Sequence, residues 1–492
     1  MFNAIFVNPW VYDFTYFNLW EKPLGLLTLA SYFIERGTAS VGFIDCLDER
    51  LKKTADMESG AGKFTGVITS KPGALKYIPR NYYRFGINEP EFVKKLHIAA
   101  EGFDNGKPTV VLITCMMTYW YQGAFEVAKA VRLALPGAKI AVGGIYARLM
   151  PEHAERSGLF DHIERSHEPP LIYGNILKLT GAEAGGCDKT SLRYFKTIET
   201  NKNYTLNNSN LIYSNLHFEQ LAFRKQFFIK VDTAGLKGGT PLYELLPELN
   251  NSAATATSEG CPYSCTYCAS SRLYPKYSPR DLSKIEADMI YFKKTLAVDN
   301  VAFYDDALLY KKEDFFYKWA EKIITEGLKL RFHLPNAVHA AMIDEKCADT
   351  MKKVGFETIR LGYEFFDGDA QQESGGKVSN AALENSIKNL KKAGFDSSDI
   401  GIYTIFGHPR TKLDEIHRAV EFVIKCGAVP NITLYSPIPG TPDAEAVFSE
   451  RPEFLEEPLL QNKAAFFELY GKTSAAEYYK LKNDIQTLMK MN

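Results

Sequence analysis

The chain has 492 residues, 46% hydrophobic and 24% charged, with a formal net charge of −1. That length allows two to four domains with their own cores, and the near-neutral balance gives no overall electrostatic footprint for nucleic acid or an anionic membrane. No run is long and apolar enough to span a bilayer, and MFNAIFVNPW lacks a basic region ahead of its short apolar stretch. The expectation is a cytoplasmic protein with no membrane span and no clear nucleic-acid binding, whose eight cysteines stay reduced.

The chain begins with alternating strand and helix patterns. Ala4 to Asn8 reads as a short buried strand, and PLGLLTLASYFIERG places Leu26, Leu29, Ala30 and Phe33 at helical spacing before Gly37. Strands follow at Ser40 to Asp45, Thr109 to Thr114 and Lys139 to Val142, with a helix marked by Phe125, Ala128, Val131 and Leu135. A polar insertion punctuated by Gly and Pro separates the second strand from the third. Alternation of this kind predicts a parallel sheet with helices on both faces and a ligand edge at the strand carboxyl ends. Residues 181–250 are mixed and irregular and read as a connector.

A second alternating series is clearer. Strands are predicted at Ala253–Ser258, Asn300–Tyr304, Leu330–Leu334, Glu357–Gly362, Asp399–Phe406 and Asn431–Ser436, with helical patterns between them at Leu282–Leu296, Glu313–Glu326, Asp344–Val354, Asn380–Ala393 and Leu413–Cys426. Six strand–helix steps are fewer than the eight of a complete barrel. The fold class is therefore α/β: a Rossmann-like doubly wound parallel sheet (1–180), the connector (181–250), a partial (β/α)6 barrel (251–450) and a short, peripheral helical tail (451–492).

The chemistry concentrates in EGCPYSCTYCASSRLY, which follows the first strand of the second series and spaces Cys261, Cys265 and Cys268 as C-x3-C-x2-C. Three thiolates on one loop suit an iron–sulfur cubane with one iron left open. Zinc competes, but structural zinc sites need four ligands, and the next histidine, His333, is on a different strand. A thioredoxin-like pair at Cys265 and Cys268 leaves Cys261 unexplained. The remaining cysteines, Cys46, Cys115, Cys187, Cys347 and Cys426, are scattered and offer no second cluster site.

This motif, with Tyr267 just before its last cysteine and opening a six-step α/β series, resembles the radical S-adenosylmethionine (SAM) superfamily over about residues 253 to 445. The resemblance implies a 4Fe–4S cluster on Cys261, Cys265 and Cys268, with SAM chelating the open iron. Reductive cleavage of SAM would then give a 5′-deoxyadenosyl radical, with an external electron donor such as flavodoxin or ferredoxin. It further implies that the backbone around Tyr267 meets the adenine, that Asp305 and Asp306 lie near the methionine end, that Asn336 reaches SAM or substrate, and that Glu364 lies near the SAM ribose or amino group. From the residues themselves, Asp305 and Asp306 serve equally as helix caps, whereas a carboxylate ending an apolar strand, as Glu364 does, is costly without a partner. His408 and Arg410 stand at the barrel mouth or on a surface loop.

PLGLLTLASYFIERG, FIDCLDER and AVGGIYARLMPEH resemble the cobalamin-binding domain that precedes many radical SAM barrels. The implied corrinoid contacts are the Gly143–Gly144 turn, where glycine permits close approach, and Met117 and Tyr119 in TCMMTYWYQG, which also read as core filling. The Asp-x-His-x-x-Gly motif that supplies an axial histidine is absent, and the Gly-Glu-x-Glu turn of relatives is replaced by ERSHEPP, which keeps Glu168. The resemblance points to cobalamin-dependent methylation of a carbon or phosphorus centre in a small-molecule or peptide substrate. A radical SAM enzyme without corrinoid, catalysing a rearrangement or cyclisation, and a non-enzymatic cluster- or metal-binding interaction protein are the alternatives.

Overall fold

The computed structural model describes residues 1–38, 40–48, 51–53, 60–183, 194–197, 218–220, 226–229, 241–247, 249–471 and 475–491. The chain divides into two units: Met1–Met57, Ala61–Ser70 and Arg80–Asn250 form one, and Glu58–Gly60, Lys71–Pro79 and Asn251–Asn492 the other. No helix among the described residues is long and apolar enough to cross a membrane.

The first unit is built on five parallel strands, β1 (Asn3–Asn8), β2 (Ser40–Asp45), β3 (Thr109–Thr114), β4 (Lys139–Gly143) and β5 (His162–Ile163), in the spatial order β5-β4-β3-β1-β2. Every residue of β1 is buried, as a strand covered on both faces requires. The Leu24–Glu35 helix lays Leu26, Ala30 and Phe33 on that sheet, where Phe33 meets Phe6 edge-on at 5.3 Å between ring centroids. The strand order reverses between β1 and β3, which makes their carboxyl ends the topological switch point where such sheets open a crevice.

The loop after β1 and the insertion between β2 and β3 pair into structure that their sequence did not announce. Strands Val11–Asp13, Tyr82–Phe85 and Gly66–Thr69 form one antiparallel sheet, and Phe17–Asn18, Gly62–Phe64 and Lys52–Lys53 form another. Segments of two to four residues are too short to display a period of two. Most of the stretch read as a connector lies outside the described residues; within it, Tyr194–Thr197, Phe218–Gln220 and Gln226–Ile229 pair antiparallel.

The second unit is a partial barrel of six parallel strands in chain order: β6 (Ser252–Thr255), β7 (Asn300–Phe303), β8 (Arg331–His333), β9 (Phe356–Glu364), β10 (Ile400–Phe406) and β11 (Val429–Leu434). Helices return the chain between them, several started by a side-chain cap, as with Asp344 on the Cys347 amide and Ser379 on the Ala382 amide. The Leu413–Lys425 helix buries Ile416, Ala419, Val420 and Val423, the stripe its sequence predicts. The tail is helical, at Lys463–Tyr470 and Ala475–Met491, but it is not peripheral. Phe467, Leu481 and Ile485 pack with Phe406 of β10, and Phe454 and Phe466 with Phe365 and Tyr435. A tail whose apolar stripe covers the last strands belongs to the barrel core.

Candidate active site

All six strands of a parallel barrel point their carboxyl ends to one mouth, so residues just past those ends converge there. The loop after β6 carries the three cysteines. Its base is closed by pairing of Ser258–Glu259 with Ser278–Pro279, and its far side rests on the segment after the Gly368–Glu373 helix. Thr266 donates its amide to the Ser374 carbonyl at 3.2 Å, and Gly375 (φ +122°) presents its bare Cα to Cys265. Cys265 is buried, Cys261 half-buried and Cys268 exposed. Cys268 Sγ accepts from the Ser270 amide at 3.4 Å.

Desolvation pushes the half-buried Cys261 thiol up, so it resists becoming a thiolate until a cation shares the site. Among the described residues no three His, Cys, Asp or Glu side chains converge around a point fit for a metal ion. A four-iron cluster makes no such demand, because each thiolate binds a different iron. The donor set therefore fits a cluster held by Cys261, Cys265 and Cys268.

The other strand ends divide the expected residues. After β7, Asp305 is buried and engaged: Oδ1 accepts from the Thr257 and Ser258 hydroxyls at 2.5 and 2.8 Å, and both oxygens lie 2.9 Å from the Thr257 amide. The structure gives it the task of tying the end of β6 to β7. Burial still holds its carboxyl above the usual range, against those hydrogen bonds. Asp306 is exposed and accepts from the Ser270 hydroxyl at 2.5 Å, beside Cys268. After β8, Asn336 donates its amide to the Tyr304 carbonyl at 3.1 Å.

Glu364 ends β9 with φ +68°, past an irregularity in the β9–β10 register at Gly362/Glu364. A left-handed backbone on a non-glycine strand residue is strained and persists only where the surroundings impose it. Burial pushes its carboxyl up to about 7, and Lys377 opposes that shift. A Cβ on Gly362 would stand 3.1 Å from Glu364 Oε1 and 3.5 Å from Lys377 Nζ, so carboxylate and ammonium converge over that glycine. The Tyr267 ring meets Phe365 at 6.0 Å between centroids, and burial, with the Glu364 charge, holds its phenol far above the ordinary value.

The sequence reading missed Gly375, Lys377 and Asp443. Lys377 lies near enough to act electrostatically on Cys261, Cys268 and Glu364 together. The doublet Gly375–Gly376 before it was the available signal. Asp443 follows a Gly-Thr-Pro turn, and nothing local marks it. His408 is 3% exposed and donates to Asp443 at 3.0 Å, so the surface-loop reading of that residue is corrected.

In the first unit the crevice at the switch point is lined by Asn8, Trp10, Tyr16, Asp45, Met116 and Trp120, among others. Met117, 37% exposed, stands just past the end of β3. Tyr119 is buried, with its ring against Trp120. Gly143 is half-buried; Gly144 (φ +88°) packs so closely on Cys115 that a Cβ would stand 2.6 Å from the Cys115 carbonyl oxygen. The glycine turn thus serves strand–helix packing. Of the expected corrinoid contacts, Met117 alone is exposed, whereas Tyr119 is buried and Gly144 is packed on Cys115.

The family described as the Radical SAM superfamily matches residues 255–423. The chain is similar to an uncharacterised methyltransferase, PH0819, of Pyrococcus horikoshii, 24% identical over 209 residues, 41% of this chain and 44% of that protein. It is similar to a hopanoid C-3 methylase of Methylococcus capsulatus, 24% identical over 199 residues, 40% of this chain and 36% of that protein. The matches thus span less than half of either curated relative. In fold it resembles the radical SAM methyltransferase TsrM of Kitasatospora setae, solved with tryptophan and a SAM analogue, with TM-score 0.59, 13% identity and coverage of 92% of this chain and 76% of that one. It also resembles the cobalamin-dependent radical SAM enzyme OxsB, solved with aqua-cobalamin and SAM, with TM-score 0.56, 14% identity and coverage of 93% and 56%. The match to the Radical SAM superfamily thus falls on the six-stranded barrel with three cysteines at its mouth, and a Rossmann-like unit precedes that barrel in the chain, in the fold shared with these two solved structures.

Proposed function

We propose that this radical SAM enzyme is a cobalamin-dependent methyltransferase that methylates an unactivated carbon, or a phosphorus, centre of a small-molecule or peptide substrate. The observation that carries the reading is the site around the cysteine loop: three thiols on a braced loop, with a strained carboxylate and an ammonium converging beside them. When bound, the cluster and SAM supply hydrogen-atom abstraction by a 5′-deoxyadenosyl radical, and the corrinoid supplies a transferable methyl group.

The chain's own residues do the holding. Cys261, Cys265 and Cys268 would ligate the cluster and leave one coordination position for SAM. Glu364 and Lys377 offer opposite charges, suited to the ammonium and carboxylate of an amino acid. The Tyr267 and Phe365 rings wall the site and exclude water from the radical chemistry. Asn336, fixed by its bond to Tyr304, presents a polar group of set orientation.

Anaerobic reconstitution with iron and sulfide, followed by dithionite and SAM, should yield 5′-deoxyadenosine. Its absence from a chain that holds a four-iron cluster would sink the reading. Titration with hydroxocobalamin separates a second reading, favoured by the interior commitments of Gly144 and Tyr119: a radical SAM enzyme without corrinoid that performs a rearrangement or cyclisation. Corrin absorption bands that survive desalting support the methyltransferase, and their loss supports the second reading.

A further inference from the structure

The middle of the cysteine loop is fastened from several directions at one residue. Thr266, between Cys265 and Tyr267, uses every polar group it has. Its amide donates to the Ser374 carbonyl at 3.2 Å, and its carbonyl accepts from the Asp443 amide at 3.2 Å. Its hydroxyl donates to Asp443 Oδ2 at 2.8 Å and accepts from Arg410 Nη2 at 3.0 Å. The Asp443 carboxylate also receives Arg410 Nη2 on Oδ1 at 2.9 Å and His408 Nε2 on Oδ2 at 3.0 Å.

The histidine is itself locked. His408 is 3% exposed, its ring edge-on to Phe365 and Tyr435 at 5.2 and 4.7 Å between centroids. Its Nδ1 accepts from the Arg410 amide at 3.3 Å, so the proton sits on Nε2 and points at Asp443. Arg410 also reaches Glu373 at 3.4 Å, on the helix that leads into Ser374. Segments from the ends of β9, β10 and β11 thus meet on one threonine inside the cysteine motif. Burial would raise the Asp443 carboxyl, but His408, Thr266 and Arg410 together hold it below the usual range.

We propose that Asp443, braced by His408 and Arg410, is a positioning residue that fixes Thr266 and thereby aims Cys265 and Cys268 on either side of it; this rests on the reading that the three cysteines hold a 4Fe–4S cluster. Charge-assisted bonds to a buried carboxylate such as Asp443 are stronger than neutral ones, and partners behind a metal ligand set its orientation. Thr266 contributes no sulfur and Asp443 no ligand. Both act through the cysteines.

The test uses the full chain with Thr266→Val, which removes the hydroxyl but keeps the shape, Thr266→Ser, which restores it, and Asp443→Asn. Hydrogen exchange of the 261–268 backbone is measured without cofactor. Iron content and the electron paramagnetic resonance spectrum of the reduced cluster, with and without SAM, are measured after anaerobic reconstitution. We expect Thr266→Val and Asp443→Asn to speed exchange in the loop about tenfold and to weaken the spectral response to SAM, with Thr266→Ser close to wild type. Wild-type exchange and spectra in both weakened variants would overturn the proposal, as would a lower melting temperature with those two readouts unmoved. If the wild-type chain takes up no four-iron cluster, the underlying reading fails first, and the positioning role goes with it.

Discussion

Gly375 and Cys265 touch backbone to backbone: a Cβ on Gly375 would stand 3.3 Å from Cys265 Cα and 3.5 Å from its amide nitrogen. At φ +122° that residue is also in a conformation side chains rarely adopt. Gly375→Ala should therefore push on the cysteine loop as well as strain its own segment, at a cost of about 1–3 kcal/mol. The neighbouring Gly376 (φ +63°) would meet the flexible Gln372 side chain at 3.3 Å, so Gly376→Ala pays the backbone penalty and leaves the loop in place. Thermal melting should fall in both variants, while iron taken up per chain should fall in Gly375→Ala and hold in Gly376→Ala.

Glu364 carries the second prediction. Its strained backbone turns a carboxylate toward Lys377 over the open Cα of Gly362, and in the proposed function this pair would receive the amino acid end of SAM, which has groups of both signs. Glu364→Gln keeps the shape and removes the charge. Loss of one charged hydrogen-bond partner is worth about 1.5–3 kcal/mol, so SAM affinity, measured by equilibrium dialysis on the reconstituted chain, should weaken at least about tenfold. Iron content should not change, because the cysteines are untouched. Unchanged SAM affinity would remove Glu364 from the binding machinery.

Much of this architecture was legible in the residues, and the exceptions share a cause. Buried parallel strands such as Thr109–Thr114 and amphipathic helices such as Leu413–Lys425 announce themselves because their burial is set by local period. The cysteine spacing is likewise local. Asp305 and Glu364 look alike in sequence, each a carboxylate ending an apolar strand. Yet one is saturated by Thr257 and Ser258 and the other stands in a left-handed turn beside a lysine. Only the pairing of β6 with β7, and a bulge between β9 and β10, separates them. Asp443 lies 177 residues from Thr266, and no periodicity reports a contact of that range. The tail was read as peripheral because its apolar positions have meaning only against Phe406 and Tyr435.

Acid should destabilise the barrel through His333. It is 3% exposed, with Nε2 on Asn300 Oδ1 at 3.0 Å and Nδ1 on Thr358 Oγ1 at 3.1 Å. Burial, helped by Arg331 and Arg360, lowers it to about 3. The unfolded chain binds this proton below about pH 6.5 and the folded chain does not, so stability present above that pH is lost as pH falls toward 3. The slope is about 1.4 kcal/mol per pH unit. Urea unfolding at pH 7 and pH 5 should show His333→Gln losing about 2 kcal/mol less than wild type over that interval. Equal losses would place the acid sensitivity elsewhere.

The last prediction concerns the base of the cysteine loop. Asp288, fully buried on the Leu282–Ile290 helix, accepts from Arg280 Nη2 at 2.8 Å. Arg280 also donates to the Ala256 carbonyl at 2.7 Å, and its amide bonds to the Thr257 carbonyl at 2.8 Å. The pair thereby pins the chain where it leaves β6 for the cysteines. Asp288→Ala strands a guanidinium against the protein interior and should cost about 3–5 kcal/mol in urea unfolding. A buried pair gains little over a well-packed apolar one, so Asp288→Leu combined with Arg280→Met should recover most of that loss. Iron uptake should not recover with it, since Met makes no bond to Ala256. Recovery of both together would mean that the Arg280 bonds leave the loop unconstrained.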